Sequence, residues 1–293
     1  MPCRILKGAP VAEALSIELS ERVRALGERG VVPCLGMIRI GERAGDLSYE
    51  RSASKRCEAL GIAIRKRLLD ESVTEQELLA VIAEMNADDT VHGILFFRPL
   101  PEGMDMRAIC DAIAPEKDVD GFTPVNVGKM LIGEECFLPC TPHGIIKLIE
   151  VTGMDLAGKH AVVIGRSNIV GKPVAVLLSR KSVNATVTLC HTGTRDVGSF
   201  TRTADVVVVA AGRPNTLTGD MLKPGAVVID VGVNRVPDAT KPKGYRLCGD
   251  ADFESCAAVA SAITPVPGGV GPMTITMLLW NTLESARNAS RVA

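Results

Sequence analysis

"AVVIGRSNIVGKPVAVLL", residues 161–178, decides the fold. Four apolar residues of strand length run into Gly165, and Gly171 then opens a segment whose apolar residues have helical spacing. A strand, a glycine turn and a helix start, in that order, aim backbone N–H groups and the positive end of a helix dipole at an anion. A P-loop is excluded. Five residues separate Gly165 from Gly171 where that motif has four, and Pro173 stands where Ser or Thr would hold magnesium. A strict G-x-G-x-x-G is also missing. The order of elements suits a dinucleotide, and a bare structural turn is the alternative.

Downstream, "ATVTLC" (185–190), "DVVVVA" (205–210) and "AVVIDV" (226–231) are further apolar runs of strand length. With residues 161–164 they predict one Rossmann-type domain with a parallel sheet. Upstream, "CLGMIRI" (34–40), "AIRKRLL" (63–69) and "VHGILFF" (91–97) read as strands, with helices expected near 8–29, 48–60 and 74–87. Between the halves, "PEKDVDGFTPVNVGK" and "LPCTPHG" are rich in Pro, Gly and Asp, which favours loops and strand ends; a new helix is expected at Thr141-Pro142. The tail from Met273 reads as a closing helix. The fold class is therefore α/β, an N-terminal α/β domain followed by a Rossmann-type dinucleotide-binding domain, and 293 residues suit two domains.

The composition narrows the partners. A formal net charge of -1, with 23% charged residues, gives no electrostatic footing for nucleic acid, so small molecules are the expected partners. Nine cysteines are scattered without a CxxC pair, which suggests neither a zinc site nor a disulfide framework, and no other metal site is expected. They read as reduced thiols of a cytoplasmic protein. No stretch reaches the roughly 18 apolar residues of a membrane span, and the N-terminus lacks the apolar run of an export signal.

Charge also bears on which dinucleotide. An NAD site usually places an acid near the end of the second strand to hold the ribose 2′-OH. Between Asp155 and Asp196 there is no Asp or Glu, while Lys159, Arg166, Lys172, Arg180, Lys181 and Arg195 all fall in that interval. A 2′-phosphate would be welcome there, so NADP is expected and NAD less so. Lys159, Arg180 and Lys181 read better as solvated surface cations.

Three segments carry a family resemblance: "KDVDGFTPVNVGK" (117–129), "GRSNIVGKP" (165–173) and "TPVPGGVGPMT" (264–274). The chain resembles methylenetetrahydrofolate dehydrogenase/methenyltetrahydrofolate cyclohydrolase over nearly its whole length. The resemblance implies a folate-binding catalytic domain over 1–140, completed by the C-terminal helix 273–293, and an NADP-binding Rossmann domain over 141–272. It further implies a cleft between the domains, a homodimer, and tetrahydrofolate derivatives as ligands. By position, Asp120 takes the place of the family's pterin-anchoring aspartate, a carboxylate that can accept paired hydrogen bonds from the pterin amino group and ring N–H. Pro267, Gly268 and Gly269 match the loop that lines the folate cleft. Gly165, Arg166 and Ser167 match the cofactor turn, Thr192 a position near the 2′-phosphate, and Gly232 with Val233 the strand end beneath the nicotinamide half.

Two positions depart from the family. Tyr49 matches the tyrosine of a Tyr-x-x-x-Lys motif whose ring packs on the folate, but one helical turn later stands Ala53 instead of the active-site lysine. Lys55 is six residues from Tyr49, on another side of the helix. The family's "VQLPLP" reads "FFRPLP", with Phe97 at the glutamine that contacts that lysine. The lysine serves water attack on the methenyl carbon, whereas hydride transfer needs alignment more than a base. The expectation is an NADP-dependent methylenetetrahydrofolate dehydrogenase, with Tyr49 and Asp120 at its centre and weak or absent cyclohydrolase activity. The alternatives are a fully bifunctional enzyme in which Lys55, Arg51 or Arg98 replaces the lysine, a non-enzymatic folate-binding protein, and a nucleotide-binding methyltransferase.

Overall fold

The computed structural model describes residues 2–292. In chain order the strands are β1 (Arg4–Ile5), β2 (Cys34–Ile40), β3 (Ala63–Leu69), β4 (Gly93–Phe96), β5 (His160–Ile164), β6 (Thr186–Cys190), β7 (Val206–Val209), β8 (Val227–Asp230), β9 (Asn234–Pro237), β10 (Tyr245–Cys248) and β11 (Ala262–Ile263). They divide between two compact units, Met1–Glu13 with Thr141–Thr274, and Ala14–Cys140 with Ile275–Ala293.

In the first unit the valine runs do what continuous apolar strands must, which is to sit in a sheet covered on both faces. The sheet has the order β1-β11-β8-β7-β5-β6, with every pairing parallel. Val162, Val207, Val228 and Ile263 are buried together with Leu217, Cys256 and Ala260. From β5 the chain steps to β6 on one side and later to β7 on the other, so the strand order reverses at β5, where open α/β sheets bind ligands. The first residues belong here and not with 14–140: β1 is an outer strand beside β11, with Arg4 level with Ala262. Two-residue strands leave no periodic pattern, which is why β1 and β11 were not expected. The antiparallel pair β9 and β10 was missed for the same reason, four residues each with mixed polarity.

In the second unit β2 lies between β3 and β4 in a three-stranded parallel sheet. Every residue of β2 is buried, as a central strand requires, and Ile38, Ile82, Ile94, Phe96 and Ile109 form the core beneath helix Glu75–Ala87 and helix Met106–Ala112. The closing helix starts at Gly271, two residues before the expected Met273. Its Asn281 side chain donates to the carbonyls of Val119 and Leu138, and its Ser285 hydroxyl to those of His92 and Glu116. One stretch read as loop is partly helical: Pro124–Ile132 forms a helix with Thr123 at its N-cap, Pro124 at its first turn and Gly133 closing it in the left-handed region at φ 83°. Among the described residues no helix is long and apolar enough to cross a membrane.

Candidate active site

Tyr49 lies on helix Ala44–Leu60, which Gly61 ends in the left-handed conformation. Ala53 and Cys57 follow it at one and two turns, and both are fully buried, so the face that Tyr49 heads is packed and uncharged. The next residue, Glu50, is buried behind the helix and anchors it to the sheet, accepting from Arg39 Nε of β2 at 2.6 Å and Lys66 Nζ of β3 at 2.8 Å. Burial alone would raise the Glu50 carboxyl, but the two cations outweigh it and hold it below its ordinary value. Arg51 and Lys55 are exposed on other sides of the helix.

Phe97, just past β4, meets the Tyr49 ring edge to face, with centroids 5.9 Å apart and planes at 83°. Its neighbour Arg98 donates from Nη2 to Asp120 Oδ2 at 2.6 Å, and the guanidinium lies 4.6 Å from the centroid of the Phe122 ring. Burial pushes the Tyr49 phenol well above its ordinary value, and the charge of Asp120 adds to this while Arg98 opposes it. The phenol is thus a neutral hydrogen-bonding group near pH 7, not a base. The buried Cys140 thiol, which donates to Val119 O at 3.2 Å, is also pushed well up, first by burial and then by Asp120 and Asp118. A flat ligand would find an aromatic wall, one carboxylate and one guanidinium here.

The loop that presents Asp120 is organised by Asp118, which sequence reasoning passed over. Its carboxylate is fully buried and accepts from the backbone N–H of Gly121, Phe122 and Thr123, from the Thr123 hydroxyl at 2.6 Å and from Asn126 at 2.9 Å. Burial raises its pKa and those donors act against the rise. Gly121 has φ 69°, and a Cβ there would come 2.6 Å from the Leu138 carbonyl carbon. The available signal was an Asp followed at short range by Gly and Thr-Pro, a side chain positioned to fold back on its own backbone.

In the other unit, Gly165 sits at the carboxyl end of β5 with φ 123°, and a Cβ would drive into the Ala210 carbonyl, 2.8 Å from its carbon. Gly171, which begins helix Gly171–Ser179, is held as closely, 2.5 Å from the Gly165 carbonyl carbon by the same measure. Ser167 Oγ accepts from the N–H of Val170 and Gly171 at 3.1 and 3.3 Å, which fixes the turn. Arg166, Ser167 and Thr192 are exposed. These glycines make a backbone cradle that any side chain would fill, which fits a phosphate-bearing dinucleotide.

Gly232 is buried at the end of β8 and Val233 is 68% exposed, an apolar side chain offered outward. Two acids missed in the sequence hold this edge. Asp230 accepts from the N–H of Gly232, Asp250 and Ala251, and Asp250 accepts from the N–H of Ala211 and Gly212 and from Asn234. Burial raises Asp230 to about 6 even though these N–H groups favour its charged form. Their signal was an Asp at the end of an apolar strand, in "VIDVG", and one before Ala in "GDADF". The proline-glycine segment is likewise backbone: Pro267 and Gly268 are exposed, Gly268 has φ 102°, and Gly268 O accepts from Gly8 N at 2.9 Å.

Residues 6–120 match the family description "Tetrahydrofolate dehydrogenase/cyclohydrolase, catalytic domain", and residues 139–290 match the "NAD(P)-binding domain" of the same name. The chain is similar to "Bifunctional protein FolD" of Bacillus anthracis, 51% identical over 288 residues that cover 98% of each chain. Among solved structures it is similar to the bifunctional FolD methylenetetrahydrofolate dehydrogenase/cyclohydrolase of Campylobacter jejuni, at 46% identity and TM-score 0.92 over 98% of this chain and 99% of that one. It is also similar to the Trypanosoma brucei methylenetetrahydrofolate dehydrogenase-cyclohydrolase solved with NADP and an inhibitor, at 39% identity and TM-score 0.94 over 99% of each.

Proposed function

The chain belongs to the tetrahydrofolate dehydrogenase/cyclohydrolase family, and from that premise we propose that it oxidises 5,10-methylenetetrahydrofolate to the 5,10-methenyl compound with NADP and hydrolyses that product. One observation carries the reading: just past β4 the Phe97 ring meets Tyr49 at 5.9 Å and the next residue, Arg98, holds Asp120 at 2.6 Å, which sets the ring and the carboxylate beside the same two residues. Asp120 accepts from the pterin edge, and Tyr49 and Phe97 supply walls that orient the ring and keep bulk water away. Pro267, Gly268 and Gly269 offer backbone that a flat ligand can approach.

NADP, when bound, supplies the hydride acceptor. Gly165 admits its phosphates to the backbone, with Ser167 ordering that turn. Arg166 and Thr192 would hold the 2′-phosphate, and Gly232 with Val233 would support the nicotinamide half. Hydride departure from the methylene carbon leaves an amidinium cation that needs no protein base, so alignment is the main task of this half-reaction.

On hydrolysis, relatives 51% identical and named bifunctional favour full bifunctionality over the depressed activity expected from the sequence. Dehydrogenase activity without hydrolysis is the second reading, favoured by buried Ala53 and by Phe97 packed on Tyr49. A cytoplasmic homodimer completes the proposal, and sedimentation of the purified protein tests the dimer. The deciding experiment follows reduced cofactor and the methenyl compound together by absorbance. Reduced NADP without lasting methenyl compound is expected; no NADP reduction with methylenetetrahydrofolate would refute the reading.

A further inference from the structure

With Ala53 on the Tyr49 face, hydrolysis must find its positive charge elsewhere. Of the cations raised by the sequence as replacements, Arg51 and Lys55 are exposed on helix Ala44–Leu60. Arg98 is in the pocket, bonded to Asp120 at 2.6 Å and stacked on Phe122. We propose that Arg98, reaching in from the end of β4, supplies the charge that the family takes from a lysine at position 53. The inference rests on the bifunctional reading above.

A guanidinium cannot carry the proton, because it stays charged throughout the accessible pH range. Its contribution is therefore electrostatic. In the first step water oxygen bonds to the methenyl carbon, one O–H bond breaks with its proton passing to solvent hydroxide, and the π pair of the C=N bond returns to nitrogen, cancelling the amidinium charge. In the second, the hydroxyl proton leaves to hydroxide, and the oxygen's electron pair forms the C=O bond as the C–N bond breaks. The C–N pair passes to the released nitrogen, which takes a proton from water. Negative charge gathers on oxygen as the second step proceeds, and a guanidinium N–H stabilises it. Nη2 is engaged by Asp120, which fixes the plane of the group and leaves other N–H donors for the substrate.

The titratable groups that the Arg98 charge reaches give no substitute base. They are Tyr49 on its helix, Cys110 on helix Met106–Ala112, Cys140, and Asp120, which is paired with it. Burial pushes the phenol and both thiols up, so they are protonated near pH 7. Hydrolysis by the unaltered protein should therefore rise with pH between about 6 and 9 without levelling, as expected when hydroxide takes the proton.

The test compares kcat for methenyl hydrolysis with kcat for NADP reduction in the same preparations. Arg98→Leu should lower the ratio of the two about 100-fold, in the range found when one donor to a developing oxyanion is removed. Arg98→Lys should retain part of the ratio. Moving the charge back, in Ala53→Lys/Phe97→Gln/Arg98→Leu, should recover activity and bend the pH profile as a titrating ammonium enters. Equal loss of both activities in Arg98→Leu would mean a merely structural role and overturn the assignment. So would a wild-type hydrolysis profile that levels off within that pH range, or an absence of hydrolysis beside normal NADP reduction. Loss of NADP reduction in the unaltered protein would instead overturn the underlying functional reading.

Discussion

At the β5 edge the surface offered to a ligand is main chain, while in the Tyr49 pocket it is side chain. Around Gly165 a phosphate would meet N–H groups whose positions depend on two glycines held against carbonyls. Around Tyr49 a pterin would meet a phenol, a carboxylate and a guanidinium, each replaceable without moving the backbone. The first surface can change only by deforming the sheet. The second can change at single positions, as Ala53 and Phe97 illustrate, beneath a loop that still presents Asp120. Main chain preserves a binding mode, and side chains let the chemistry above it drift.

The largest expected effect follows from the first half of that contrast. Gly165→Ala combines φ 123° with a methyl directed into the Ala210 carbonyl. NADP-dependent turnover should fall by about 1000-fold or more, with a loss of stability of about 2–4 kcal/mol. Kinetics and thermal unfolding check both. A variant that still binds NADP normally would show that the turn is not built on this close approach.

Next comes Asp120→Ala, the matching change in the side-chain pocket. Folate kcat/KM should drop about 100-fold as the charged hydrogen bonds to the pterin edge vanish and orientation is lost. The Kd for NADP should change little, which a fluorescence titration reads directly. If both ligands weaken equally, the two surfaces are not separable in the way the comparison claims.

The same difference decides what was legible in the sequence. The central strands were visible because a buried parallel strand is a mostly apolar run, and β2 matches its expected limits residue for residue; β3, an edge strand with no buried residue, matches its limits too. Gly165 was visible because few residues other than glycine serve at a strand-to-helix turn held this close to a neighbouring carbonyl. Asp230 and Asp250 were not, because most of their donors come from other loops far along the chain and leave little local pattern; Asp118, whose donors all follow within eight residues, left only the weaker signal of a turn-forming acid. The pairing of Arg98 with Asp120 joins residues 22 apart in sequence and needs the fold to bring it together. β1 was hidden because two residues cannot show a period.

Asp230 gives a smaller, pH-dependent effect. Its pKa is raised from 3.8 to about 6, so the folded state holds the proton more tightly than the unfolded chain. Stability from this group is fully present below the unfolded value and is lost as pH rises through about 6, by up to roughly 3 kcal/mol. Asp230→Asn does not titrate. Its amide would also present N–H to one of the backbone donors, so it should be less stable than wild type, and the gap should shrink between pH 4 and pH 7 by about 2 kcal/mol. Urea midpoints at several pH values measure this. A gap that widens with pH would mean that the N–H donors, not burial, dominate the carboxyl.

The smallest effect probes a place where the main-chain surface depends on an exposed side chain. A backbone cradle at Gly165 would serve any pyrophosphate, so a preference for NADP must come from what flanks it, and Arg166 is the adjacent cation in the turn. No Asp or Glu lies between Asp155 and Asp196 to favour a free 2′-OH. Arg166 is exposed, so water and salt screen its attraction, which places its contribution near the weak end for a charged hydrogen bond. Arg166→Ala should reduce the ratio of kcat/KM for NADP over NAD about tenfold, and raising the salt should narrow the wild-type ratio in the same direction. Turnover with NAD should stay near its wild-type level, since the backbone cradle is untouched. If the ratio is unmoved while turnover with both cofactors falls together, Arg166 is holding the turn instead of reading the phosphate. Selectivity would then have to be sought at Thr192 or among Lys172 and Arg195.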